Sequence, residues 1–379
     1  MPEPEAPARP QDPSRLAPFY ENLEALRGIC AVLVVLYHVE FASPLNHNVV
    51  VRHGWLFVDF FFVLSGFVIA LIHVRAPAGW NAAKRFLTRR FFRLYPLHLA
   101  SVLFVAALLA VRVGLHPASA TTLGIDTQFR WLFLANLAMV HAWGFTDRSV
   151  LNVPSWSIST EWVAYLITAA IFGLTARPRW RVAGLAAIGL VALLILASAG
   201  GPVMDGPLLY RVPRCLYGFA LGAAVFALTR CSPVRGSGPA LLVQLIAIAG
   251  IVTLLTVLER APRLELGFPP LAALLVIGAV ADHDSPLFRL LTTAPAQLLG
   301  RLSYSIYLVH LPILMVANFV AERLVGITPD GHAAFSPPLA VLATVAVLGS
   351  IILVSLATHR WIEVPWREHG RRITVRIPT

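Results

Sequence analysis

The chain has 379 residues, 58% of them hydrophobic and only 13% charged, with a formal net charge of +11. Too few polar side chains remain to cover a soluble globule of that length, and the composition predicts an all-α polytopic membrane protein. Its arginines are scattered between apolar runs rather than gathered on one face, which argues against a nucleic-acid partner and fits positive-inside topology. From the N-terminus, residues 1–19 are proline-rich and mixed in charge and lack the apolar core of a signal peptide, so they read as a disordered cytoplasmic tail. A membrane domain is expected over 20–366 and a basic cytoplasmic tail over 367–379.

Apolar runs long enough to span a bilayer lie near 24–43, 55–75, 94–114, 157–176, 182–200, 208–229, 239–257, 267–281, 302–324 and 337–358, about ten in all. A further run, 129–145, would put Arg177, Arg179 and Arg181 outside if it crossed, so it reads as a re-entrant or surface segment. With that choice the basic loops share one side and both termini are cytoplasmic, with the lipid bilayer of the inner (plasma) membrane as the surroundings. Cys30, Cys215 and Cys231 have neither metal-ligand spacing nor an even count, so neither a metal nor a disulfide framework is expected.

The first span carries a cation at each end, Arg27 and His38. Eleven steps of about 100° return His38 to within roughly 20° of Arg27, and the helical rise separates them by roughly 16 Å. They share one face, in surroundings where an unpartnered charge is costly. Topology brings Asp59 down from the outer side to the level of His38 and places Glu161 just inside the outer end of the fourth span. Three titratable groups are therefore expected in one layer, where a carboxylate can hold the imidazole tautomer for general-base chemistry. An inert polar network pinning the helices is the alternative reading.

On the opposite side Arg89, Arg90 and Arg93 open the third span. Arg90 and Arg93, three apart, project to one side of a helix and suit a phosphate, although a cluster against anionic lipid is the simpler account of the arginines alone. Arg301 begins another span, in which Ser303, Tyr307 and His310 form one polar stripe toward the membrane centre. Arg211 and Arg214, near the outer end of the sixth span, are placed to neutralise the carboxylates or to meet an anionic acceptor, and His98, His141 and His359 read as packing or interfacial histidines.

Taken in order, Arg27 and His38, Val58-Asp59-Phe60-Phe61-Phe62-Val63-Leu64-Ser65-Gly66-Phe67, Arg89-Arg90-Phe91-Phe92-Arg93-Leu94-Tyr95-Pro96, Ser155-Trp156-Ser157-Ile158-Ser159-Thr160-Glu161, Ser303 through His310, and Glu363-Val364-Pro365 make the chain resemble the integral-membrane acyltransferase type three family. Its members O-acylate lipopolysaccharide, exopolysaccharide, peptidoglycan and macrolide sugars. The resemblance implies an O-acetyltransferase that takes acetyl-CoA or another acyl-CoA from the cytoplasm and delivers the acyl group to a carbohydrate hydroxyl. It also implies that His38 and Arg27 are essential and that Arg90 and Arg93 handle the donor, with Arg89 and Arg301 as neighbouring donor cations. His38 is then general base or acyl-accepting nucleophile, with Asp59 or Glu161 orienting it. Some relatives carry a fused extracytoplasmic esterase-like domain. This chain is expected to lack that domain, which leaves transfer to be completed by this protein itself or handed to a separate extracytoplasmic transferase. The rival class is a secondary transporter with a His, Asp and Glu proton relay, against which no inverted repeat is seen.

Overall fold

The structure, a computed structural model, describes residues 18–39, 47–115, 129–145, 151–199, 201, 208–231, 234–326 and 335–377. Among these, nine helices are long and apolar enough to cross a membrane. They coincide with the second to tenth expected spans. The first, α1 (Pro18–Tyr37), holds Glu21, Glu24 and Arg27 within its 20 residues. Those three charges leave it without a stretch as apolar as those of the other nine, yet it packs inside the bundle. The elements that follow are α2 (Phe57–His73), α3 (Trp80–Leu115), α4 (Phe129–Leu137), α5 (Trp156–Leu174), α6 (Pro178–Ala197), α7 (Arg211–Thr229), α8 (Ser237–Val257), α9 (Phe268–Ala281), α10 (Ala294–Val325), α11 (Pro337–Thr358) and α12 (Val364–Val375).

Two close helix pairs set the positions of the polar side chains. In the first, α1 lies along α10. A Cβ at Gly28 would meet the backbone of Leu299 and Gly300 at 2.5 Å, so the missing side chain is what lets the helices approach. In the second, α2 lies along α7, and a Cβ at Gly66 would fall on the Phe219 carbonyl. Small residues at such crossings trade side-chain volume for close backbone contact, the main attraction available between helices in lipid.

The 129–145 segment follows the expected short path. Helix α4 has nine residues, or roughly 14 Å against a hydrocarbon core near 30 Å. Polar contacts tie it down: His98 Nε2 donates to the Asn136 carbonyl at 2.8 Å, and Ser159 Oγ donates to the Met139 carbonyl at 2.8 Å. The His98 and His141 rings stack 5.7 Å apart. Thr121 and Thr146, on either side of this segment, lie outside the described residues.

The region expected as a C-terminal tail differs. A π-helical turn, His359–Glu363, leads into α12, which folds back along α3. Phe92 stacks on Trp366 with centroids 5.9 Å apart, and Arg89 Nε donates to Thr374 Oγ1 at 2.9 Å. The apolar and basic residues of 364–375 alternate at helical spacing, and the π turn resets the face so that Glu363 points inward to Ser305.

Arg181 is fully buried, with no carboxylate paired to it among the described residues. It donates to the carbonyls of His73, Val74 and Ala76 at and just past the end of α2 and of Phe172 and Thr175 at the end of α5. These carbonyls lie where helix ends leave acceptors without intrahelical partners, and a cation there also meets the negative pole of each helix.

Candidate functional site: two cavities on one polar path

Two cavities follow each other along the bundle. The inner one has a cavity volume of about 120 Å³ and is walled by Arg27, Arg90 and Arg93, with Ser65, Glu161, Tyr165, Ser303 and Tyr304 among its polar lining. Three guanidiniums against one carboxylate leave an excess of two positive charges in that wall. Arg27 is held by α10: its Nε donates to Ser303 Oγ at 2.6 Å and Nη2 to the Gly300 carbonyl at 3.1 Å. Arg90 is buried, its guanidinium 5.6 Å from the Phe86 ring centroid and 5.5 Å from that of Tyr165. Such face stacking fixes the plane of the fork and leaves its edge for an anion. Arg90 and Arg93 do share a side of α3, as the three-residue spacing requires.

The outer cavity, about 160 Å³, is lined by His38, Tyr37, Trp55, Trp156, Arg211 and Arg214 among others. His38 lies just past the end of α1, and its Nδ1 is 2.8 Å from the Val34 carbonyl. A carbonyl only accepts, so Nδ1 carries the proton and Nε2 of the neutral ring is the lone pair. An orphan carbonyl of the last helical turn thus does what a carboxylate was expected to do. His310 has the same arrangement, its Nδ1 2.7 Å from the Tyr307 carbonyl, and the two imidazole centroids are 5.0 Å apart.

The expected single layer of His38, Asp59 and Glu161 is therefore corrected. Asp59 is at the outer level, but its carboxylate belongs to Arg214, which donates through Nε at 2.9 Å to Oδ1 and through Nη2 at 2.7 Å to Oδ2. Arg214 in turn lies over Trp55 and Trp156, 5.2 and 5.1 Å from their centroids. Neutralisation of a carboxylate by this arginine was one of the expected options. Glu161 lies in the inner cavity and accepts from Ser65 Oγ at 2.6 Å and from Tyr165 OH at 2.5 Å. The reason is local: Val153–Ser155 is a tight 3-10 turn, α5 starts directly after it, and the five helical steps from Trp156 to Glu161 carry the carboxylate about 7.5 Å further in.

Two of the proposed donor cations are elsewhere. Arg301 is exposed and absent from the lining of either cavity. It follows Gly300 on α10 and faces away from Ser303. Arg89 is exposed and bonded to Thr374 of α12. Ser65 and Tyr165 receive no role from the sequence alone, since a lone hydroxyl on an apolar helix, outside any polar stripe, carries no signal until a carboxylate is seen beside it. Among the described residues no group of three or more His, Cys, Asp and Glu gathers as a metal set would.

Helices and cavities together describe a polytopic membrane protein with an arginine-lined chamber behind a histidine-bearing one. Residues 20–360 match the family model described as an acyltransferase domain, nearly the whole chain, and the protein belongs to that acyltransferase family. It is 26% identical over 380 residues to the peptidoglycan O-acetyltransferase OatA of Listeria monocytogenes, covering 93% of this chain and 56% of that protein. The chain thus spans about half the length of this relative. It is 27% identical over 340 residues to the putative membrane-bound transacylase BcsY of Komagataeibacter xylinus, covering 88% of this chain and 81% of the other. With the exopolysaccharide production protein ExoZ of Rhizobium meliloti the identity is 29% over 347 residues, covering 89% and 96%. No solved structure matches the chain.

Proposed function

We propose that this protein moves an acyl group, in the simplest case acetyl, from acyl-CoA in the cytoplasm to a hydroxyl of an extracytoplasmic carbohydrate. The observation that carries the reading is the inner cavity itself, where Arg27, Arg90 and Arg93 from two helices confront one carboxylate. A chamber with that excess suits the phosphates at the head of a coenzyme A thioester. The positive-inside distribution of the loops orients the Arg90 and Arg93 end toward the cytoplasm and both termini with it. The relatives named for peptidoglycan O-acetylation and exopolysaccharide production suggest a cell-surface polysaccharide, and the aromatic walls of the outer cavity, Trp55 and Trp156, suit a sugar ring.

In this mechanism the acceptor hydroxyl oxygen bonds to the thioester carbonyl carbon while His38 Nε2 takes the hydroxyl proton. The intermediate collapses with cleavage of the C–S bond, and the proton passes to the departing thiolate. Val34 fixes the tautomer that leaves Nε2 free. The guanidinium of Arg214, carried by Asp59, holds the tryptophan wall against which the acceptor rests. The test is label transfer from acyl-labelled coenzyme A on the Arg90 face of reconstituted vesicles to a carbohydrate on the His38 face. Label on the carbohydrate, lost in His38→Ala, is the expected result. Proton-coupled solute flux with no label transferred would replace this reading by a transporter.

A further inference from the structure

Among the described residues, the linings of the two cavities have one member in common, Tyr307. It is buried, and its ring packs edge-on against Phe61 of the inner wall with centroids 5.7 Å apart. Its hydroxyl donates to the Pro154 carbonyl at 2.8 Å and accepts from Ser157 Oγ at 2.9 Å. Those two partners belong to opposite chambers, Pro154 to the outer wall and Ser157 to the inner. The ring is thus fastened across the seam where the 3-10 turn becomes α5. On the other side of the same residue, its carbonyl receives His310 Nδ1, so the backbone behind the ring is held as well.

We infer that Tyr307 is the partition between the inner and outer cavities, and that its side chain turns away from Pro154 and Ser157 to let the thioester end of the donor reach His38. The inference rests on the proposed direction of transfer for its purpose, but the partition itself does not depend on it. Held in place, the ring keeps water of the outer chamber from the thioester, a leak that a transferase working across a membrane has to prevent. Two neutral hydrogen bonds secure the position, and their loss is expected to shift the closed-to-open ratio by roughly 10- to 100-fold. Only an aromatic side chain with a hydroxyl both fills the seam and fastens there. Phenylalanine fills it without the fastening, and alanine does neither.

The experiment uses the full chain with Cys30, Cys215 and Cys231 replaced and one cysteine introduced in the inner wall, Ser65→Cys. A small charged, membrane-impermeant thiosulfonate is applied to right-side-out and to inverted membrane vesicles. With Tyr307 present, labelling is expected only from the Arg90 face. With Tyr307→Ala it is expected from both faces, and with Tyr307→Phe from the His38 face at a rate between the two. An unchanged rate from the Arg90 face shows that each variant is folded. Equal labelling from both faces with Tyr307 in place would overturn the inference, and so would protection from the His38 face in the folded Tyr307→Ala protein. No acyl donor is present in this assay, so its outcome stands apart from the acyl-transfer test. If transfer also holds, Tyr307→Ala should hydrolyse acetyl-CoA without acceptor at least 10-fold faster than the parent protein.

Discussion

Asp59→Asn separates a structural carboxylate from a catalytic one. In the wild-type protein the Asp59 and Arg214 side chains are 0% and 3% exposed, and Nη2 of Arg214 is 2.7 Å from Oδ2. Nε approaches both oxygens, at 2.9 and 3.1 Å, so the contact is close to bidentate. Removing one member of a buried pair costs about 3–5 kcal/mol, because the remaining charge stays out of water with its balance gone. Asparagine keeps one acceptor oxygen and belongs at the lower end, about 3 kcal/mol, while Asp59→Leu keeps none and belongs at the upper. Thermal unfolding of purified protein in detergent measures both, alongside the paired variant Asp59→Leu with Arg214→Met. Removing both charges leaves no stranded ion, so the pair is expected to recover most of the loss in stability while transfer stays impaired by the altered outer wall. Asp59→Asn melting with the wild type would refute the reasoning, as would a paired variant no more stable than Asp59→Leu.

For His38, alanine and glutamine should both abolish transfer with near wild-type expression, since glutamine has no lone pair that takes up a proton at neutral pH; measured acyl transfer in vesicles decides it. Calorimetry with coenzyme A should find binding weakened about 10-fold in Arg90→Lys or Arg93→Lys, because a point charge replaces a planar fork, and unchanged in Arg89→Lys and Arg301→Lys, whose side chains lie off the cavity. Arg181→Ala should lower unfolding stability by about 3 kcal/mol or more, since several charge-assisted bonds to buried carbonyls vanish together, with no specific effect on coenzyme A affinity in the folded fraction.

Hydropathy and helical periodicity are local properties, and what depends on them was legible in the chain. The second to tenth spans and the shared side of Arg90 and Arg93 follow from hydrocarbon thickness and 100° per residue, and the short path of 129–145 from the placement of the basic loops. The stripe of Ser303, Tyr307 and His310 was legible for the same reason, and each member meets a polar group: Ser303 meets Arg27, Tyr307 meets Ser157, and the His310 ring lies beside His38. What tertiary structure alone decided is depth and choice of partner. Glu161 falls among the arginines because a 3-10 turn, and not a loop of arbitrary length, delivers α5. Asp59 faces Arg214 because Gly66 and Gly222 let α2 and α7 close together, which no pattern within either helix reveals. Arg301 and Arg89 are cations of the right kind on the wrong face, and α12 is a helix only because α3 offers it Phe92 and Arg89 to pack upon. Sequence fixes the phase of a residue on its own helix, whereas the neighbour that phase meets is set by how far each helix slides and turns against the rest.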